Sequence, residues 1–189
     1  MIGYAFCGSF CTIAKSMKIM RELAAEGNEI QPIVSDNVYS MNTRFGKAAD
    51  TVEEMESICG RKVIHTIVEA EPIGPRGYLD VLIIAPCTGN TLAKIACGIT
   101  DTPVTMAAKA QLRAGKPVVI GVASNDAMAA NLASIAKLTV RKNIYFVPMF
   151  QDDPEKKPDS LICDFGQIKT AMVAALGGRQ LQPLWCVNG

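Results

Sequence analysis

Apolar and polar positions along this chain change in blocks rather than residue by residue. Ile2-Gly3-Tyr4-Ala5-Phe6-Cys7 opens as a short apolar run, the pattern of a buried strand. A loop, Gly8-Ser9-Phe10-Cys11-Thr12, follows. Then Ala14, Met17, Ile19, Met20 and Leu23 recur at helical spacing, and Gly27 stops the helix. Ile30, Pro32, Ile33 and Val34 predict a second strand ending at Ser35-Asp36. Residues 37–60 read as polar helix, with Asp50 as a possible N-cap and Gly60 as terminator, and Lys62–Thr66 as a short third strand. Two prolines and two glycines in 69–78 predict a loop long enough to serve as a lid or binding segment.

The second half repeats the alternation. Asp80–Ala85 (DVLIIA) is almost continuously apolar, as in a strand buried on both faces of a parallel sheet. Residues 86–90 are a loop, Thr91–Cys97 a helix closed by Gly98, and Pro103–Ala114 a helix closed by Gly115. Val118–Val122 and Ile144–Val147 read as strands and Asp126–Lys137 as a helix. Residues 151–159 form a polar exposed loop, and 165–176 a last helix. Strands separated by helices predict βαβ units. The expected fold is a Rossmann-like doubly wound α/β sheet in three layers, one domain over 1–189, with its core in 1–150 and a C-terminal loop, helix and tail in 151–189. Ligands of such sheets sit beyond the carboxyl ends of the strands. The polar loops at 8–12, 35–40 and 86–91 all fall there.

Composition narrows the classes. Nineteen Lys+Arg against eighteen Asp+Glu give a net charge of +1, so neither a nucleic-acid footprint nor a polybasic membrane patch is expected. Hydrophobic residues at 49% support a substantial core. The low share of charge, 20%, hints at surface covered by further subunits. Seven cysteines without a CxxC pair, beside one histidine, do not assemble a zinc ligand set and read as reduced thiols of a cytoplasmic protein; no metal is expected. No signal peptide or membrane-spanning run is apparent.

Two loops carry the candidate chemistry. Gly8–Thr12 offers hydroxyls and backbone N–H groups at a helix start, which suits an anion; the alternative is an ordinary turn with Ser9 or Thr12 as N-cap. It is not a dinucleotide fingerprint, since Phe10 and Ile13 stand where glycines are needed, and no Walker lysine is present. Pro86-Cys87-Thr88-Gly89-Asn90-Thr91 can aim Thr88, Asn90 and Thr91 at a ligand above the strand ends, or simply cap a helix. Together the loops suit a phosphorylated small molecule.

Gly8–Thr12 after the first strand, Ser35 after the second, and the stretch Ala-Pro-Cys-Thr-Gly-Asn-Thr-Leu-Ala-Lys-Ile-Ala-Cys-Gly-Ile-Thr-Asp at 85–101 resemble the FMN-dependent flavoprotein family. That family includes cysteine decarboxylases and flavin prenyltransferases. The resemblance implies FMN bound between the chains of a homo-oligomer, a trimer or dodecamer. It implies cofactor contacts at Gly8, Ser9, Cys11, Thr12 and Ser35, and at Pro86, Cys87, Thr88, Asn90, Thr91 and Thr105. His65 matches the decarboxylases' catalytic histidine. Asn125 and Met128 keep the Asn-x-x-Met spacing of their substrate clamp, whose Pro and first Met are replaced here. Met106 stands where the prenyltransferases place an arginine.

Phe146–Pro154, Lys157–Leu161, Ala175-Leu176 and Gln180–Pro183 narrow the resemblance to a dipicolinate-forming branch of spore-forming bacteria. This implies one component of an oxidoreductase that works in sporulation on dihydrodipicolinate, in the mother-cell cytoplasm. Its partner, the A subunit of that synthase, would carry the nicotinamide (NAD(P)) domain. Arg76 is the candidate for the dicarboxylate substrate, because guanidinium pairs with carboxylates. Two alternatives stay open: an FMN-dependent decarboxylase of a cysteine-derived carboxylate, and a non-catalytic scaffold within the synthase.

Overall fold

In the computed structural model, residues 1–187 are described; the last two positions of the expected 1–189 domain lie outside them. The apolar runs become strands β1 (Ile2–Phe6), β2 (Ile30–Val34), β3 (Val81–Cys87), β4 (Val118–Ser124) and β5 (Ile144–Phe146). Their pairings β2·β1, β1·β3, β3·β4 and β4·β5 are all parallel. Parallel neighbours need crossovers, and the helices that supply them cover both faces of the sheet. These are α1 (Phe10–Ala25), α2 (Asp36–Ser40), α3 (Ala48–Cys59), α4 (Ile67–Ala70), α5 (Ile73–Arg76), α6 (Gly89–Cys97), α7 (Pro103–Arg113) and α8 (Leu132–Thr139); α9 (Ile168–Leu176) follows the last strand after a 3₁₀ turn at Phe165–Gln167 and packs on the sheet without connecting strands.

The unbroken apolar run of β3 divides between two cores. Leu82 and Ile84 join the core on one face; Val81, Ile83 and Ala85 join the other. The first core takes Leu92, Ile95, Val104, Ala107 and Leu138 from α6, α7 and α8. The second takes Met17, Met20, Leu23, Met55 and Met172 from α1, α3 and α9. The expected three-layer α/β arrangement is therefore present.

Several local expectations are corrected. The sheet is not wholly parallel: β6 (Met149–Phe150) and β7 (Leu161–Cys163) add an antiparallel hairpin to the carboxyl half of β4. Strands of two and three residues give no readable periodicity. Residues 62–66 contribute one parallel bridge, Ile33 to Ile64, rather than a strand. Residues 69–78 are not a plain loop, because a Thr66/Glu69 capping box starts α4 and Pro75 falls in the first turn of α5, where it is tolerated. The polar stretch 37–60 splits into α2 and α3, and Lys47 rather than Asp50 stands at the N-cap of α3. Residues 126–131 are turn, so the predicted 126–137 helix starts only at Leu132.

Candidate functional site

β1 to β4 all run the same way, so the segments leaving β1, β3 and β4 converge on one edge. There they wall a cavity of about 870 Å³. Gly8, Ser9, Cys11 and Thr12 line it from the start of α1, Thr88, Gly89 and Asn90 from the start of α6, and Asn125 from the turn after β4. The structure thus brings together six of the sequence-predicted cofactor residues, Gly8, Ser9, Cys11, Thr12, Thr88 and Asn90, with Asn125.

The α1 start is suited to an anion. Its first turn carries no acidic residue, and Ser9, at the N-cap, makes no side-chain capping bond. Thr12 Oγ1 instead donates to Ser9 O at 2.8 Å and Ser9 Oγ at 3.0 Å. The first N–H groups of a helix have no intrahelical partner, and the helix dipole adds positive potential there. At α6, Thr88 Oγ1 accepts from Thr91 N at 3.4 Å, so Thr88 does act as an N-cap while still lining the cavity.

Gly89 is fixed by its neighbours. A Cβ there would fall 2.5 Å from Asn131 Nδ2, 2.7 Å from Ser124 Oγ and 2.8 Å from Asp126 Oδ1. Those three atoms form one cluster, in which Asp126 Oδ1 accepts from Ser124 Oγ at 2.5 Å and from Asn131 Nδ2 at 3.0 Å. The cluster seats the α6 N-terminus against the turn that presents Asn125.

The remaining predicted cofactor residues, Pro86, Cys87, Thr91, Thr105 and Ser35, do not line the cavity. Cys87, at the end of β3, is fully buried and pairs with Cys7, the residue after β1; that thiol, followed by burial, pushes Cys87 well above the ordinary thiol range. Cys87 is packing, not nucleophile. Pro86 precedes it inside β3, and Thr91 is buried one turn into α6. Thr105 is buried in α7, its hydroxyl engaged with Thr102 in a capping box. Ser35, beside the end of β1, holds the one buried side-chain polar atom without a hydrogen-bond partner among the described residues, its Oγ.

Two further predicted residues, those expected to do chemistry or to bind substrate, also lie away from the cavity lining. His65 stacks on Tyr39 with ring centroids 3.8 Å apart, in a separate hollow with Glu53, Glu56, Lys62 and Glu69. Arg76 ends α5, before the entry to β3, so it stands at the amino edge of the sheet, opposite the cavity. The crossover that carries Arg76 approaches β3 from the end opposite the cavity, so this chain's own fold does not bring it there.

The sequence reading missed a second set of residues. Arg44 and Phe45, between α2 and α3, line the cavity, as do Asp152, Lys156, Lys157 and Ser160 of the β6–β7 loop. The 151–159 loop, expected to be merely solvated, is a wall. Its only sequence signal was a charged segment between two apolar pairs, which short antiparallel strands turn inward.

Among the described residues, no group of three or more His, Cys, Asp or Glu side chains is placed to hold a metal, and no helix is long and apolar enough to cross a membrane. A site with unpaired helix N–H groups and short polar side chains fits a phosphorylated planar cofactor better than an ion.

Comparison with known proteins agrees with this geometry. The chain is 44% identical to the B subunit of dipicolinate synthase from Bacillus subtilis over 187 residues, covering 99% of this chain and 94% of that one. The crystal structure of the corresponding B subunit from Bacillus halodurans superposes with a TM-score of 0.90 at 39% identity, covering 98% and 95% of the two chains. Burkholderia xenovorans DmrB in complex with FMN, described as a cubic protein cage for redox transfer, shares the fold at a TM-score of 0.69 and 17% identity, covering 93% and 94%. The profile of the Flavoprotein family matches residues 1–176, and the chain belongs to that family.

Proposed function

We propose that this chain is the flavin-binding component of a two-component enzyme that oxidises dihydrodipicolinate to dipicolinate. The observation that carries the reading is the cavity built by the 8–12 and 88–90 loops, found in a chain 44% identical across almost its whole length to the B subunit of a dipicolinate synthase. In this reading the N–H groups of Phe10 and Cys11, with the Ser9 and Thr12 hydroxyls, hold the FMN phosphate, and Ser35 Oγ gains the partner it lacks. Thr88, Asn90 and Thr91 bound the ribityl and ring region. Pro86, Cys87 and Thr105 support that floor from beneath rather than touching the cofactor.

Bound there, FMN supplies a two-electron acceptor, which is what aromatising a dihydropyridine requires: the ring loses two electrons and two protons. The chain's own part is to orient the substrate and keep water off it. Asn125, on the turn fixed by Asp126, donates to or accepts from the substrate ring region. No histidine lines the cavity among the described residues, which favours oxidation over the decarboxylase alternative. A partner chain with a nicotinamide cofactor, the synthase's A subunit, completes the enzyme. A homo-oligomer, trimer or dodecamer, is the expected assembly.

The test is reconstitution. Partner alone, this chain alone and the two together are given dihydrodipicolinate, and dipicolinate is followed by its ultraviolet absorbance. The reading expects fast formation only with the flavin-loaded pair. Equal rates with flavin-free chain point to a scaffold; release of carbon dioxide from a cysteine-derived carboxylate points to the decarboxylase.

A further inference from the structure

The cavity mouth carries two cations that the cofactor reading does not use. Arg44 sits at the tip of a tight turn closed by Thr43 N to Gly46 O at 2.9 Å and Gly46 N to Thr43 O at 3.2 Å. Phe45 N donates to Thr43 Oγ1 at 3.1 Å, and Ala48 N to Asn42 Oδ1 at 3.0 Å, which ties the turn to α3. The guanidinium lies 4.9 Å from the centroid of the Phe45 ring. It is held by the ring rather than by a carboxylate, so its fork of N–H donors is left for another acceptor.

The second cation comes from the β6–β7 loop. Lys156 N donates to Asp153 Oδ1 at 3.2 Å and Lys157 N to Asp153 O at 2.8 Å, while Gln151 Nε2 reaches Pro158 O at 2.8 Å. Met128 N then anchors the loop to the turn after β4 through Asp159 O at 2.9 Å. Lys157 is neutralised by Asp152 at 3.2 Å. Lys156 forms no ion pair among the described residues, and neither does Arg44. Of the cavity carboxylates, Asp126 is held by Ser124 and Asn131 and Asp152 by Lys157, so the two unpaired cations face Asp159 alone.

Two preformed loops thus present two unpaired cations of different chemistry, with a half-exposed aromatic ring beside one of them, to one cavity. We propose that this mouth selects a small planar dicarboxylate, one carboxylate on the Arg44 guanidinium, the other on the Lys156 ammonium, and the ring against Phe45. The inference deepens the reading above and rests on it for the identity of the acid. The cations act by binding and selection; nothing in their placement requires them to move a proton.

The experiment is calorimetric titration of the full-length, FMN-treated chain with dipicolinate and with pyridine-2-carboxylate. Charge-assisted hydrogen bonds of this kind predict a loss of about tenfold or more in dipicolinate affinity for R44Q and for K156Q. The wild type prefers the dicarboxylate, and the double variant loses that preference. K109Q, which removes a lysine from the separate groove between α5 and α7, leaves both affinities unchanged. Wild-type dipicolinate affinity in both single variants, or no dipicolinate binding by any form, overturns the inference. Flavin absorbance is read on the same samples. Cation-dependent dipicolinate binding without retained flavin counts against the cofactor reading and leaves this one standing.

Discussion

Ser16 Oγ donates to the carbonyl oxygen of Ala85 at 2.6 Å, bonding the middle of α1 to β3 three residues before Thr88 lines the cavity. The same hydroxyl lies 2.9 Å from Tyr4 OH, so one buried serine connects α1, β1 and β3. Burial pushes the Tyr4 phenol up, above its ordinary value, and keeps it neutral. Replacing Ser16 by Ala takes the Ser16 donor from the Ala85 carbonyl and leaves the Tyr4 hydroxyl only its longer bond to Ser16 O, 3.4 Å, in a dry site. A loss of about 1–3 kcal/mol in unfolding free energy is expected, with an unchanged urea m-value. Chemical denaturation of the two proteins measures it.

Gly89→Ala is expected to be worse for the site than for the fold. The new methyl meets three polar atoms at under 3 Å, and relieving that contact displaces the Asp126 cluster or the start of α6. The expected cost is about 1–3 kcal/mol, together with weakened flavin retention. Gly177→Ala, where the nearest atom is 3.4 Å away, is the matched control and retains flavin normally. Thermal melts and flavin titration separate the two effects.

The cysteines report the site without mutation. Cys11 and Cys97 are exposed, Cys7, Cys87 and Cys163 buried, and all seven thiols are free. Burial pushes the Cys59 thiol up to about 11, which slows it further at neutral pH. A disulfide reagent should modify Cys11 and Cys97 quickly and the three buried thiols only after unfolding. Cys11 lines the cavity and Cys97 does not, so saturating FMN should protect Cys11 alone. Mass mapping of the labelled peptides gives the answer; equal protection of both, or of neither, places the cofactor elsewhere.

The β6–β7 loop has an acid limit. Burial raises the Asp152 carboxyl, but hydrogen bonds from Ser160 and Lys157 outweigh it and leave the value below the ordinary carboxylate range. A depressed folded-state value means the contribution is present above the unfolded value of about 3.9 and fades as pH falls through the folded one. The pair is largely solvated, so the effect is about 0.2–1 kcal/mol. Asp152→Asn should remove that fraction of the acid-induced loss below about pH 4, measured as local protection of 151–160 by hydrogen exchange.

Much of this architecture was legible in the residues. The unbroken run at 81–85 specified a strand buried on both sides, and the glycines that close the helices set the crossovers, so the cavity edge followed from topology. Gly8–Thr12 and Thr88–Asn90 fall at that edge in any register that buries those strands. What stayed hidden depends on contacts distant in sequence. The β6–β7 loop looked solvated because only pairing of Ala123 and Ser124 with Ile162 and Leu161 folds it over the site. Arg76 was assigned by chemistry alone, without the strand direction that places it at the opposite edge. His65 was assigned by resemblance, and its stacking on Tyr39 depends on α2, whose start is marked by little more than Ser35-Asp36.

The central claim, that the cavity is a flavin site, is tested most directly by the visible spectrum of the purified chain before and after incubation with FMN and desalting. The account predicts retained absorbance in the blue at about one flavin per chain, weakened together with Cys11 protection in Gly89→Ala. A chain that stays colourless after loading, with Cys11 equally reactive throughout, contradicts it.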